Sequence, residues 1–541
     1  MSQENAPSML SRIKWDPLGL WNVYFLFKFG LFYFSYIEIH VLENLAFIAF
    51  LVFPISHGLL YRLKHALGFV IALWLLHHDS YLPPLSLLMG NNDLLMSFSP
   101  AYLFELTLRV VSLEAVALML VSVVSYLYFN QWIRFTGVSI LALLVVSIVG
   151  TSEQQNVQPI NAQPNRIVKQ STTSPANTTL RPATDPASAL ANFYTEQQSL
   201  VTEFPDQFSG PDFDVVILNI CSLGWDDLSH IGMENHPLLN QFDVVFENFN
   251  SATSYSGPAA ARLLNSSCGQ RPHDGLYGNK PEECNLFKQL EQLGFQTDLA
   301  MNHNGFFDSF LQLINTEGGL TAPLQSLDGI NVIQRSFDGS PIYSDKQVLK
   351  KWLDNRTRSS QARHALYFNS ISLHDGNIIA GQANRFNTID NYKARAQALM
   401  NDIDGFFEAL SDTNKNYLVI MVPEHGAALK GDQMQFSGLR EIPTPSIVNV
   451  PVGIKFISPN KRGSSNPIKN NEQLSYFAIS EFIARTIEEN PFNNVNINIR
   501  SLLSNLPTSA MVAENENSKM ILYSDQPYIQ LDNGMWTKYP N

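Results

Sequence analysis

A thiol, a hydroxyl, a carboxylate and two imidazoles stand in this 541-residue chain close to places where apolar runs stop. Cys221 closes the run Val215–Ile220 in DVVILNICSLGWDD. Ser256 lies in SYSGPAA between Tyr255 and Gly257, with Pro258 behind it. Glu424 and His425 follow the run Tyr417–Val422 in VPEHGAAL, and His374 follows Ala365–Ser370 in SISLHDGN. Cys221, Glu424 and His425 offer sulfur, oxygen and nitrogen to one zinc ion and leave a fourth tetrahedral position open. Ser256 is its natural occupant. A serine hydroxyl is a poor nucleophile at neutral pH; a bound divalent cation lowers its pKa and polarises a phosphoryl oxygen. Adjacent residues in a strand face opposite ways, so Glu424 and His425 share an ion only if the strand has already ended. Pro423 and Gly426 bracket the pair and favour that.

Around this set, His374 suits a general acid or base, Arg440 in SGLREIPTP a bidentate phosphate clamp, and Tyr255 a donor to a phosphate oxygen. A helix starting near Pro258 would present its amino terminus to an anion. Each has a plainer alternative. Cys221 could be a small buried apolar residue, Glu424–His425 an exposed loop, His374 a structural histidine, Arg440 a surface cation and Tyr255 packing.

These groups need strands to carry them. Short continuous apolar runs at Val215–Ile220, Val244–Asn248, Gln296–Met301, Ala365–Ser370, Tyr417–Val422 and Val452–Ile457 alternate with helical patterns at Asn285–Leu293, Ser344–Leu353, Ile389–Leu410 and Glu472–Glu489. Such runs are strands covered on both faces by helices, hence an α/β sandwich with a mainly parallel central sheet. Ligands bind beyond the carboxyl ends of such strands, where the chemistry-bearing residues stand. A helix at Pro258–Asn265 places Ser256 just before it, and a final strand pair is expected at Met520–Tyr523 and Tyr528–Leu531.

Upstream the chain changes character. Five apolar spans, Leu18–Tyr36, Leu42–Tyr61, His65–Leu76, Leu106–Tyr128 and Trp132–Gly150, predict a five-helix transmembrane bundle over 1–150. The third is short against the ~20 residues a crossing needs. Arg12, Lys14, Arg62, Lys64 and Arg134 on alternate loops orient the amino terminus to the cytoplasm and the remainder to the far side. Lys28 is expected to snorkel, Glu105 and Arg109 to pair, and Glu114 to be a candidate for a lipid headgroup or partner. Residues 151–205, rich in Gln, Asn, Thr, Pro and Ser, read as a flexible tether with one short helix at Ala189–Leu200. Residues 206–541 form the α/β domain. The formal net charge of −13, without a Lys/Arg cluster, excludes a nucleic-acid binder. Of three cysteines, Cys268 and Cys284 enclose a short loop and read as a disulfide in an oxidising compartment, leaving Cys221 unpaired.

The order of strand, early ligand, Ser nucleophile near a helix start and later Glu-His pair resembles the alkaline-phosphatase-like (sulfatase-like) superfamily. Five spans before a translocated α/β domain resemble the membrane phosphoethanolamine transferases. NICSLGWDDL, SYSGPAAARLL with SCGQRPH, SISLHDGN and VPEHGAAL most resemble the cellulose phosphoethanolamine transferases of bacterial cellulose-secretion systems. That resemblance implies Zn2+ held by Cys221, Glu424, His425 and Ser256, with Ser256 as nucleophile and Tyr255, His374 and Arg440 lining the site. It also implies a Cys268–Cys284 bridge, phosphatidylethanolamine as donor, cellulose as acceptor, and cellulose synthase subunits as partners at a bacterial inner membrane, the catalytic domain being periplasmic. Cys221 departs from the acidic ligand usual in the wider superfamily, and Ser256 from the Thr of the lipid A enzymes. The competing expectations are the same chemistry on another envelope acceptor, lipid A or a glycan, and a non-catalytic scaffold of the synthase complex.

Overall fold

The computed structural model describes residues 18–34, 37, 39–55, 58–80, 113–154, 183–278, 280–381, 388–459, 466–493 and 498–540. Two compact units divide them: those up to 154 belong to the first, those from 183 onward to the second.

The first unit contains helices Trp21–Tyr33, Val41–Val52, Gly58–His78, Leu113–Phe129 and Phe135–Gln154. Among the described residues only Gly58–His78, at 21 residues, is long and apolar enough to cross a membrane; Val41–Val52, Val116–Phe129 and Phe135–Val146 are shorter apolar stretches. Five helices therefore stand among the described residues where five spans were expected, though with different bounds. The expected span Leu42–Tyr61 breaks after Val52, because Pro54 lacks an N–H and disfavours helical backbone at the residue before it. The span expected to be shortest, His65–Leu76, lies inside the 21-residue helix Gly58–His78, so Arg62 and Lys64 are helical rather than in a connecting loop. Lys64 Nζ donates to the carbonyls of Leu51 (2.7 Å) and Phe53 (3.0 Å), closing the end of the preceding helix. Lys28 does not snorkel: its Nζ is buried 2.6 Å from Asp79 Oδ2 and 2.7 Å from Asn44 Oδ1. Leu59, Leu60, Leu63, Leu67 and Val70 are exposed, an apolar face that lipid would satisfy. Residues 106–112, with Arg109, and Glu105 lie outside the described residues, as does the side chain of Glu114.

Among the described residues the second unit has fourteen strands: β1 Phe213–Ile220, β2 Val244–Asn250, β3 Phe295–Met301, β4 Val332–Arg335, β5 Pro341–Tyr343, β6 Arg363–Ser370, β7 Ile378–Ile379, β8 Asn416–Pro423, β9 Asn449–Ile457, β10 Ile468–Asn470, β11 Val512–Glu514, β12 Ser518–Tyr523, β13 Gln526–Leu531 and β14 Thr537–Lys538. Seven form the central sheet in the order β10-β2-β9-β8-β1-β6-β3. Only β9 runs antiparallel to its neighbours. The mainly parallel sheet is as expected. Small antiparallel sheets, β5-β4-β7 and β11 through β14, flank it, the second built on the expected hairpin β12–β13.

All eight residues of β1 are buried. Val215 and Ile217 face a core that includes Leu263, Leu290 and Phe482; Val216, Leu218 and Ile220 face one with Val348, Met400 and Phe407. Full burial of each such side chain contributes about 1.5–3 kcal/mol, so β1 is the spine of the unit. At its start Asp214 is buried against Arg356, with Nε–Oδ2 at 2.5 Å and Nη2–Oδ1 at 3.0 Å. Asp214→Ala strands the guanidinium of Arg356, which keeps only the carbonyls of Gln361 and Ala362. A loss of about 3–5 kcal/mol is expected, read as a lower urea midpoint with unchanged slope.

Residues 183–205, part of the expected tether, are folded here. Asp185 caps helix Pro186–Gln197 in a capping box with Ser188, and Phe193 packs on Val512 and Ile521. This is the short helix expected at Ala189–Leu200, three residues earlier at each end, with Leu190, Phe193 and Tyr194 as its apolar face. Residues 155–182 lie outside the described residues.

Candidate metal centre

Parallel pairing with no stagger brings the exits of β6, β1 and β8 to one edge: Ile220 stands beside Ser370 on one side and Pro423 on the other. The backbone is stitched just past that point. Cys221 N donates to Ser370 O (2.9 Å), Glu424 N to Ile220 O (2.8 Å) and Leu223 N to His425 O (2.7 Å). Strand β8 ends at Pro423, so Glu424 and His425 are released from strand alternation. Asp227 ties the two exits together, accepting from the amides of Gly224 (3.1 Å), Ala427 (2.6 Å) and Leu429 (3.0 Å). A Cβ on Gly224 would sit 2.9 Å from Cα of Gly426, so the approach requires glycine.

Ser256 comes from the other side. It is the first residue of helix Ser256–Leu264, two positions earlier than Pro258 suggested. The preceding turn is held by Asn515, whose Oδ1 accepts from Thr253 Oγ1 (2.9 Å) and Ser254 N (3.2 Å). Behind the helix Cys268 and Cys284 are bridged, as expected.

The four ligand candidates meet. Ser256 Oγ is 3.3 Å from Cys221 Sγ and 3.3 Å from His425 Nε2, and Sγ and Nε2 are 4.0 Å apart. One ligand atom each of Cys221, Glu424 and His425 lies within 4.8 Å of the others. All three are buried. His425 Nδ1 lies 2.8 Å from Gly426 O; donation there turns Nε2 into the free lone pair. Glu424 Oε1 accepts from Asn369 Nδ2 (2.7 Å), whereas the buried Oε2 has no partner among the described residues.

The electrostatics match an incomplete set. Burial pushes the Glu424 carboxyl up to about 7. Burial, then the charge of Glu424, pushes the Cys221 thiol up to about 12. Burial, then Arg440, holds His425 well below its usual range. A buried thiol and carboxyl side by side favour their anions only when a cation joins them. The orphaned Oε2, the free Nε2 and a soft sulfur donor fit zinc.

The other expected residues divide. Arg440 Nη1 stands 3.0 Å from Ser222 Oγ and 3.0 Å from His425 Nδ1, at the centre's edge. The Tyr255 hydroxyl is committed to Glu441 Oε1 at 2.6 Å rather than left to a ligand. His374 makes no hydrogen bond to Cys221, Ser256, Glu424 or His425. Its Nδ1 lies 2.8 Å from Asp375 O and its ring 5.2 Å from that of Phe337. Burial, then Arg440, lowers it to about 4, so at neutral pH the imidazole is uncharged.

Residues 170–536 match the family model described as the cellulose biosynthesis protein BcsG C-terminal domain, and residues 21–148 that of the BcsG N-terminal domain. The chain belongs to the BcsG family. The cellulose biosynthesis protein BcsG of Salmonella typhimurium is 39% identical over 557 residues, 99% of each chain. That of Escherichia coli is 38% identical over 545 residues, 97% of each. The family resemblance carried by the motifs is therefore borne out. Among solved structures, the BcsG-family chain is similar to the C-terminal periplasmic domain of EcEptC from Escherichia coli in complex with Zn (14% identity, TM-score 0.42, 58% of this chain and 93% of that one). It is also similar to the integral membrane lipooligosaccharide phosphoethanolamine transferase A from Neisseria meningitidis (12% identity, TM-score 0.38, 85% and 94%). At these identities neither carries a residue role across.

Sequence reasoning missed the residues that hold the ligands. Asn369 links Glu424 to Asn219 Oδ1 (3.0 Å) and His303 Nε2 (2.9 Å). Its only signal was a polar side chain at the exit of an apolar run. Asp227 was the second acid of WDD, and Glu441 merely followed Arg440. Asn369→Ala removes the hydrogen bond that orients Glu424. A loss of roughly 10–100-fold in zinc affinity is expected, measured by competition with a chromophoric chelator.

Proposed function

We propose that this BcsG-family chain transfers phosphoethanolamine from phosphatidylethanolamine to glucose C6 hydroxyls of secreted cellulose, through a covalent intermediate on Ser256. The observation that supports it is the convergence of Cys221 Sγ, Glu424, His425 Nε2 and Ser256 Oγ at the start of a helix. When bound there, zinc would lower the pKa of the serine hydroxyl and draw charge from a phosphoryl oxygen. In the first half-reaction a Ser256 Oγ–P bond forms, the P–O bond to diacylglycerol breaks, and the serine proton leaves with the diacylglycerol hydroxyl. In the second, a glucan oxygen bonds to phosphorus, the Ser256 Oγ–P bond breaks, and the glucan proton returns to Ser256. His374, neutral at pH 7, serves as the proton acceptor in transit. Amides at the amino terminus of helix Ser256–Leu264 and the cation of Arg440 hold the phosphoryl oxygens.

A donor that is a lipid headgroup must be met at a bilayer, and the exposed apolar helices of the first unit supply that anchor. In this reading the chain is a multi-pass inner-membrane protein with a cytoplasmic amino terminus and a periplasmic catalytic unit, and its spans meet cellulose synthase subunits. Incubating the full chain with phosphatidylethanolamine vesicles and zinc, without acceptor, should add one phosphoethanolamine to the peptide carrying Ser256, seen by mass spectrometry. An unmodified Ser256 peptide after stoichiometric diacylglycerol release would contradict the intermediate.

A further inference from the structure

A second feature lies behind the nucleophile helix. A cleft is walled by the end of helix Ser256–Leu264, the disulfide loop, residues 475–478 and residues 507–509, and no residue of the metal centre lines it. Arg262 does. It stands six positions beyond Ser256 on one helix, about 240° round the axis and about 9 Å along it, so the two side chains serve different sites.

Arg262 is 5% exposed, and its Nε, Nη1 and Nη2 all lack a hydrogen-bond partner among the described residues. The buried Glu514 carboxylate is near enough to attract the guanidinium, but its Oε2 accepts from the His273 amide at 2.7 Å and it makes no hydrogen bond to Arg262. A buried guanidinium with five idle N–H donors is strongly unfavourable unless an acceptor reaches it. The cleft adds two further cations, Arg271 and Lys280, and no Asp or Glu lines it, although the chain as a whole carries −13. Lys280 is shared with Glu317 at 3.2 Å. The Tyr476 hydroxyl, also on the cleft wall, is buried without a partner. A planar donor fork, a hydroxyl and two cations match the tetrahedral oxyanion of a phosphate group in both charge and geometry.

We propose that this cleft is a second ligand site that binds a phosphate group, with Arg262 as the deep contact, Tyr476 beside it and Arg271 and Lys280 completing the shell. The phosphate is either inorganic or that of a glycerophospholipid headgroup.

The test uses the full chain in detergent with Cys221→Ser, which disables the metal centre, and radiolabelled inorganic phosphate in equilibrium dialysis. One phosphate per chain is expected. Adding Arg262→Met should weaken binding roughly tenfold or more, and Arg271→Gln or Lys280→Gln each by a few-fold. These last two keep the test usable if the Met variant fails to fold. Displacement of label by glycerophosphoethanolamine identifies the headgroup as the source; no displacement identifies free phosphate. The site does not exist if Cys221→Ser binds no phosphate, or if the added substitutions leave its affinity unchanged. Either failure leaves the metal centre untouched.

Discussion

Ser256→Ala is expected to abolish transfer to cellulose while leaving the fold intact. The hydroxyl faces Cys221 Sγ, His425 Nε2 and the Glu424 carboxyl, all groups of the metal centre, so its removal breaks no bond outside that centre. Helix Ser256–Leu264 is fixed by its buried apolar face, not by its first side chain. The rate, however, loses its nucleophile. Losses on the order of 10⁴-fold or more accompany nucleophile removal elsewhere. The measurement is phosphoethanolamine on glucan by phosphorus NMR, paired with an unchanged melting temperature. Retained transfer at even a hundredth of the wild-type rate would assign the attack to another group.

The second large effect concerns the cation. Cys221→Ser replaces a soft ligand by a harder, shorter one, at a position where Sγ lies 3.3 Å from Ser256 Oγ and 4.0 Å from His425 Nε2. Loss of an outer-shell partner already costs 10–100-fold, so loss of a ligand should lower zinc affinity by roughly 100-fold or more. Two readouts separate this from misfolding. Zinc at about 1,000 times its dissociation constant should stabilise the wild type by about 4 kcal/mol, and a 100-fold weaker variant by about 1.4 kcal/mol or less at the same zinc concentration. In metal-free buffer the two proteins should melt close together, because the thiol is otherwise a small buried group. A variant that gains the full 4 kcal/mol or so from zinc would place the metal elsewhere.

Much of the architecture was legible because β1, β6 and β8 are uninterrupted apolar runs, and such runs between helices have few other solutions. The exits that carry Cys221 and Glu424–His425 followed directly. Register did not, since nothing in a uniform apolar run says that Ile220 stands beside Pro423 rather than a neighbour. Antiparallel β9 escaped for a related reason. No helix longer than Pro445–Val448 joins it to β8 among the described residues, and an antiparallel return needs no crossover helix. The start of helix Ser256–Leu264 was read at Pro258, a favoured first-turn residue, when Ser256 and Gly257 were already helical. Hydropathy counted apolar residues through Pro54 and so fused two helices. The roles of Tyr255 and Lys28 depended on partners 186 and 51 positions away, Glu441 and Asp79. The short helix expected at Ala189–Leu200 is present as Pro186–Gln197, but its packing was not legible, because its few apolar residues matter only once β12 is there to receive them.

The most direct test is anomalous scattering at the zinc edge from crystals of the zinc-loaded chain. The expected result is one peak about 2.3 Å from Cys221 Sγ and about 2.0–2.2 Å from Glu424, His425 Nε2 and Ser256 Oγ. A peak that none of those atoms touches, or no peak in protein that transfers phosphoethanolamine, would contradict the site.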